Sequence, residues 1–136
     1  MNGIYRATVL ALMLALFLSA AGCARGRRLQ LITVSPVTAD AQDYPHNRVK
    51  FTATGIFNRP PVVITPLPVK WTTGFWVNAP QSPNIVIDAK GIAHCNPGFA
   101  GAASVMAFAP IDPKVPLEQM GSKTGTVSGS AQLICP

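Results

Sequence analysis

The 136-residue sequence has few charged residues and no segment with a sustained helical repeat of apolar side chains. Only 12% of its residues are charged, whereas 49% are hydrophobic, so the chain is not disordered throughout. It is too short for two ordinary domains, and no internal repeat is present. With 13 proline and 11 glycine residues, it favours many turns and short strands over long helices.

Residues that carry catalysis or bind metals are also scarce. A hydrolase needs a nucleophile, a base and an orienting group, but the only two histidines are His46 and His94, and no G-x-S-x-G element occurs. A metal site built from His94, Cys95 and Cys135 would lack further ligands unless His46 came near. We therefore predict that the protein is not an enzyme, has no catalytic residues, and binds neither a metal nor another cofactor.

The N-terminal residues have the pattern of an export signal. Arg6 supplies a positive charge, residues 7–18 form an apolar run, and residues 19–22 are small. The apolar run is shorter than the ~20 residues that a membrane-spanning helix requires. We predict a cleaved signal helix over residues 1–22, and the alternative is an uncleaved helix that stays in the membrane.

The four residues Ala20, Ala21, Gly22 and Cys23 resemble the lipobox of bacterial lipoproteins. The resemblance implies that Cys23 carries a diacylglycerol group and anchors the mature chain to a membrane, with acyl chains contributing about 0.8 kcal/mol per buried CH₂. Ala20 stands where leucine is commonest in that family. The alternative is ordinary cleavage near Ala21, which would release a soluble protein. Because Cys23 is followed by alanine and not aspartate, we expect a lipoprotein of the outer membrane, facing the periplasm or the cell surface.

The net charge of +6 has to be interpreted for a protein that is exported from the cytoplasm. In a cytoplasmic protein such a balance would suggest nucleic acid, but an exported chain does not meet nucleic acid as its normal partner. Arg25, Arg27 and Arg28 lie in the predicted linker, residues 23–28. They either contact anionic head groups beside the anchor or form a solvated linker.

The predicted domain, residues 29–136, contains seven segments in which apolar and polar residues alternate as in short strands. The predicted strands are 29–36, 48–57, 69–72, 85–88, 92–95, 102–109 and 126–135. Alternation over 48–57 puts Val49, Phe51, Ala53 and Phe57 on one face. The proline-rich stretch 58–68 cannot lie in the middle of a sheet. These features predict an all-β sandwich of about seven short strands.

Three cysteines are accounted for as one lipid acceptor and one pair. Outside the cytoplasm such a pair tends to oxidise, so we predict a disulfide between Cys95 and Cys135. In the chain-entropy account, closing a loop of about 40 residues stabilises a fold by roughly 4 kcal/mol.

Four sequence segments together resemble the bacterial Ig-like domain of group 2, the module of invasin- and intimin-type surface proteins. They are F-T-A-T-G at 51–55, the strand around Trp71, D-x-x-G at 88–91 and S-G-S-A-x-L at 128–133. The resemblance covers residues 29–135 and implies an antiparallel Ig-like sandwich, extracytoplasmic display, and an adhesive or spacer role without catalytic residues. Stretches 58–68 and 110–124 are longer than usual. Both cysteines of the pair follow Trp71, so we expect the bridge to join the C-terminal strands and not to span the sandwich.

Three aromatic residues are candidates for packing or binding. Trp71 is predicted to fill the core. Phe75 and Trp76 precede a loop rich in proline and asparagine, and they would contact a sugar or a protein if they were exposed. We favour the interpretation that they cap the core under the loop. The predicted function is a non-catalytic, lipid-anchored Ig-like module of the cell envelope with a structural or protein-interaction role. The alternative is a small carbohydrate-binding or enzyme-accessory domain, secreted in soluble form.

Overall fold

The computed structural model describes residues 26–121 and 124–136, so the predicted signal helix and Cys23 lie outside the described residues. This part of the chain forms ten strands, three single 3-10 turns and no α-helix. The strands are β1 (Leu29–Ser35), β2 (Thr38–Asp40), β3 (Arg48–Lys50), β4 (Thr52–Phe57), β5 (Val63–Ile64), β6 (Lys70–Thr72), β7 (Ile85–Ile87), β8 (Ile92–Cys95), β9 (Gly101–Pro110) and β10 (Thr126–Cys135). Within those two segments no helix reaches the length and apolarity that crossing a bilayer requires.

The strands form two layers. One layer contains the sheets β1–β4–β5 and β3–β8–β7, which are continuous because β3 and β4 belong to one extended run. The other layer is the sheet β2–β10–β9–β6. The predicted all-β sandwich is confirmed. All described strand pairs are antiparallel except β2 with β10, which pair in parallel.

The core lies between the layers, where the predicted alternation places it. Val49, Phe51, Ala53 and Phe57 are all buried, as the pattern of 48–57 indicates. That run is not one strand, however. Its partner changes at Phe51, whose amide donates to the carbonyl of Gly91 at 2.8 Å. The run therefore joins two sheets, which the alternation of side chains alone does not reveal.

Two further strands were not predicted. β2 and β5 have three and two residues, too few to show a repeat in the sequence. β5 lies within the proline-rich stretch 58–68 and pairs only with β4, at the edge of its sheet. Its position confirms that this stretch does not enter the middle of a sheet, since Pro60, Pro61 and Pro66 cannot donate to a ladder.

The sandwich has two distinct ends. At the end that we call proximal, the amide of Leu29 donates to the carbonyl of Ile111 at 2.8 Å, and the amide of Asn58 donates to Arg28 at 3.1 Å. The opposite, distal end carries the connections 41–47 and 96–100. The connection 73–84 runs toward this end from the last residue of β6, which pairs with the middle of β9. The ten residues of β9 run from one end to the other, a distance of about 30 Å at the rise of an extended strand.

The predicted disulfide is confirmed. Cys95 in β8 and Cys135 in β10 are bonded, with 5.8 Å between their Cα atoms. The expectation that the bridge would not span the sandwich is wrong, because β8 and β10 belong to different layers. The bridge therefore fastens the two layers together at the distal end.

Nearer the middle, β1 and β10 approach each other very closely. A Cβ atom at Gly129 in β10 would lie 2.6 Å from the carbonyl oxygen of Ile32 in β1. A side chain there would have to displace backbone, so a glycine is required for the two layers to close at this point.

Candidate binding surface on the loop 73–84

Two neighbouring aromatic side chains are exposed on the molecular surface. Phe75 is 76% exposed and Trp76 is 62% exposed, both in the connection from β6 to β7. The interpretation that they cap the core is therefore wrong. A soluble protein buries most large aromatic surface, so two neighbouring exposed rings indicate a contact site for another molecule.

The loop that carries them, residues 73–84, is fixed by side chains at its base. Thr72 and Thr73 are buried, and the amide group of Gln81 bonds to both. Its nitrogen donates to the Thr72 hydroxyl at 2.8 Å, and its oxygen accepts from the Thr73 amide at 3.0 Å and hydroxyl at 2.9 Å. The Ser82 amide donates to the Thr73 hydroxyl at 2.6 Å. These bonds close the loop across eight or nine residues of sequence.

The tip of the loop is packed just as tightly. The Ala79 amide donates to the carbonyl of Trp76 at 2.9 Å, and a Cβ at Gly74 would lie 2.6 Å from that of Ala79. The ammonium group of Lys70 in β6 donates to the side-chain oxygen of Asn78 at 3.2 Å. Because the loop is already ordered, a partner that contacts the aromatic pair loses little conformational entropy on binding.

Trp71 occupies a different position from the predicted one. It is half-buried and packs against the core from the edge, where a Cβ at Gly91 would lie only 2.9 Å from its indole ring. Gly91 also has a φ of 78°, which closes the turn that follows Asp88. The free side of the indole lines a cleft of about 550 Å³, together with Lys50, Lys90 and Leu117. This cleft does not include Phe75 or Trp76.

Asp88 stabilises that turn through its carboxylate. Its carboxylate accepts from the amide of Lys90 at 2.8 Å and from the amide of Ile92 at 2.9 Å. These interactions lower the pKa of Asp88. The largest effect comes from the hydrogen bond of the Ile92 amide, and smaller ones come from the Lys90 amide and the positive charges of Lys50 and Lys90. The shift therefore reflects a structural turn.

Both histidines lie at the distal end. His46 and His94 line one cleft together with Arg48, although they are far apart in the sequence. The sulfurs of Cys95 and Cys135 are bonded to each other, so they are not metal ligands. Within residues 26–121 and 124–136, no three His, Cys, Asp or Glu side chains are grouped so that they could hold a metal ion.

The proximal end is organised around an arginine. The guanidinium of Arg27 lies 3.8 Å from the ring centroid of Phe57 and donates to the carbonyls of Arg59 and Pro61. The amide of Arg28 donates to the side chain of Asn58 at 2.7 Å. Both arginines, which the sequence places in a linker, are thus fastened to the folded domain.

Neither a scan against models of protein families nor a search of curated proteins finds a match to this chain. The resemblance to group 2 Ig-like domains and to bacterial lipoproteins therefore stays a prediction that depends on the quoted motifs.

Proposed function

We propose that this protein is a non-catalytic binding module of the bacterial cell envelope, which holds a protein partner through Phe75 and Trp76. The observation that carries the proposal is the exposure of both aromatic rings on a loop that part-buried hydrogen bonds hold in place. Rigid aromatic side chains are frequent anchors of protein interfaces because they offer a large contact area at a small entropic cost.

The position of the loop supports display away from a membrane. Cys23 precedes Gly26 by three residues, and Arg27 and Arg28 are bonded to the proximal end. A lipid on Cys23 would therefore attach the proximal end to the membrane. The loop 73–84 runs from the end of β6, which pairs with the middle of β9, to the distal start of β7, so it would be held away from the membrane along the side of the sandwich.

The bonding of the loop favours a protein over a sugar as the ligand. Exposed aromatic rings stack on sugars as well, but sugar sites also need polar groups to bond the ring hydroxyls. Here the side chain of Gln81 already bonds to Thr72 and Thr73, and the oxygen of Asn78 accepts from Lys70. Carbohydrate binding is therefore the second candidate function, and the exposure of Trp76 is the observation that favours it.

Photo-crosslinking in living cells tests the contact surface. A photoreactive phenylalanine analogue replaces Phe75 in one strain, Trp76 in a second, and Val63 in a third. Val63 is the matched control, because it is 59% exposed but lies near the proximal end. We expect one discrete protein adduct from the first two strains and not from the third. Equal adducts from all three, or none from positions 75 and 76, would contradict the proposal.

Carbohydrate binding is tested by tryptophan fluorescence against a panel of envelope polysaccharides. The proposal predicts no change for any of them. A change that disappears when Trp76 is replaced by leucine, but not when Val63 is replaced by serine, would establish the carbohydrate-binding alternative instead.

The anchor requires a separate measurement. Mass spectrometry of the protein from native envelopes is expected to show an acylated N-terminus at Cys23, and Cys23→Ser is expected to abolish that modification. A free Cys23 would make the protein a secreted module, and a start upstream of Cys23 would make it a helix-anchored one.

A further inference from the structure

The proximal end carries an exposed apolar turn with arginines beside it. Pro60, Pro61, Val62 and Val63 follow one another in the chain and are all exposed, the two valines by 46% and 59%. We infer that this end docks on the surface of a bilayer that contains anionic phospholipid head groups. The inference rests on the proposed function, because the predicted lipid on Cys23 brings the membrane to this end.

Hydrogen bonds join the apolar turn to the start of the domain. The amide of Phe57 donates to the carbonyl of Val62 at 2.7 Å, which closes the turn. The guanidinium of Arg27 lies over the ring of Phe57 and donates to the carbonyls of Arg59 and Pro61. The apolar turn and the first arginine of the domain are therefore neighbours in one face, and that face is already ordered.

Two further arginines lie beside the same turn. The amide of Arg28 donates to the side-chain oxygen of Asn58 at 2.7 Å, and the amide of Asn58 donates to the carbonyl of Arg28 at 3.1 Å. Arg28 is exposed, and so is Arg59 within the turn. An exposed apolar patch bordered by basic residues fits a membrane surface, because apolar burial and attraction to anionic lipids then act together.

The acidic residues near this end do not cancel its positive charge. Residues 111–121, which follow β9 at the proximal end, contain Asp112, Lys114 and Glu118. The carboxylate of Asp112 accepts from the amide of Lys114 at 3.0 Å, so it stabilises a turn of its own. Two carboxylates and one ammonium group leave the three arginines of the face in excess. Such an excess attracts an anionic leaflet over about one Debye length.

The beginning of the described chain brings this face close to the predicted anchor. Arg27 is four residues after Cys23, a span of at most about 14 Å for a fully extended chain. A lipid on Cys23 would therefore keep the face within reach of the head groups, and weak attraction suffices between groups that are already linked. Docking would hold the domain by its proximal end and keep the loop 73–84 off the bilayer.

Vesicle binding without the anchor tests the inference. The chain from residue 23 onward, with Cys23→Ser, contains every described residue and carries neither a lipid nor the predicted signal helix. Its binding is measured by co-sedimentation with vesicles of phosphatidylglycerol and phosphatidylethanolamine, and with vesicles of phosphatidylcholine alone. We expect binding to the anionic vesicles that weakens as salt is added, and little binding to the zwitterionic ones.

Two matched pairs of variants make the result specific. Arg28→Gln should weaken binding to the anionic vesicles about fivefold, the share of one basic residue near a charged bilayer. Arg48→Gln removes the same charge from an exposed residue at the distal end and should have no effect. Val63→Ser should weaken binding about threefold, because about half of the valine surface is available for burial. Val86→Ser, at a residue of β7 that is 45% exposed, should leave binding unchanged.

Several outcomes would overturn the inference. They are equal weakening by Arg28→Gln and Arg48→Gln, equal binding to both kinds of vesicle, and no binding to the anionic vesicles. A discrete protein adduct from the photoreactive analogue at Val63 would also overturn it, and would assign this face to a protein partner.

The inference and the proposed function fail in different ways. An acylated Cys23 and crosslinks from positions 75 and 76, without vesicle binding by the Cys23→Ser chain, would keep the anchored binding module and remove the docking face. Vesicle binding with the expected effects of the variants, together with a free Cys23 in native envelopes, would keep the docking face and remove the lipid anchor.

Discussion

Replacing Cys95 and Cys135 together by alanine should cost this fold a large part of its stability. The bridge closes a segment with a sequence separation of 40 residues. The chain-entropy relation for a loop of that length gives a loss of about 4 kcal/mol at 25 °C. The free energy of unfolding of a typical domain is only about 5–15 kcal/mol, so the variant would be marginal. For a domain of this size the melting temperature should fall by roughly 15 °C.

The position of the bridge makes this test informative. Cys95 and Cys135 lie in different layers, so the loss of the bridge frees the distal ends of the two layers from each other. Urea unfolding followed by circular dichroism is measured for the Cys23→Ser protein, for the same protein with reductant, and for the double alanine variant with and without reductant. We expect the reduced protein and the variant to unfold at similar, lower urea concentrations, and reductant to have no effect on the variant. If the oxidised protein and the variant had the same midpoint, the reasoning from loop closure would be wrong.

Three further outcomes are expected, each measured by urea unfolding unless stated otherwise. Gly129→Ala should destabilise the fold by about 1–3 kcal/mol, because the new methyl group would lie 2.6 Å from the carbonyl oxygen of Ile32. Gly121→Ala is the control, since nothing lies within 4 Å of the added atom. Asp88→Asn should weaken the acid dependence of stability. The pKa of Asp88 is lowered in the folded state, so its contribution is present above its unfolded pKa of about 3.9 and is lost as the pH falls through the folded value. A variant as acid-sensitive as the parent would contradict this. Gln81→Leu should remove the three hydrogen bonds that Gln81 makes to Thr72 and Thr73, and speed chymotrypsin cleavage after the aromatic residues of the loop. An unchanged cleavage rate would show that these bonds do not order the loop.

The sequence predicts the core of this fold better than its connections. Alternation correctly identifies the buried faces of 48–57 and 126–135, because each buried side chain there is separated by one residue from the next. The partner strand changes at Phe51, from β8 to β1 and β5, but the alternation does not change there because Phe51 is buried on the same face. The strands β2 and β5 are too short to produce a pattern at all.

The candidate binding surface depends on contacts between residues that are distant in the sequence. Phe75 and Trp76 are residues of types that usually lie in a core, but the loop that carries them is held at its base by the bonds from Gln81 to Thr72 and Thr73, with both rings outside. The cleft between His46 and His94 exists because β3 pairs with β8, across a separation of about half the domain. No local pattern in a single sequence encodes either arrangement.

The short outer strands of the sandwich affect how copies of this protein behave when they are crowded. A long free edge offers a row of unpaired backbone groups onto which a strand of another molecule can add, which is a common route to aggregation. Among the described strands, β2, β3, β5, β6 and β7 lie at the ends of their sheets and have only two or three residues each. The seven-residue strand β1 is also at the end of its sheet, but β10 packs so closely against it that a Cβ atom at Gly129 would meet the backbone of Ile32. The ten-residue strands β9 and β10 lie inside their sheet. Two copies that meet along the short edge strands therefore present few unpaired backbone groups to each other.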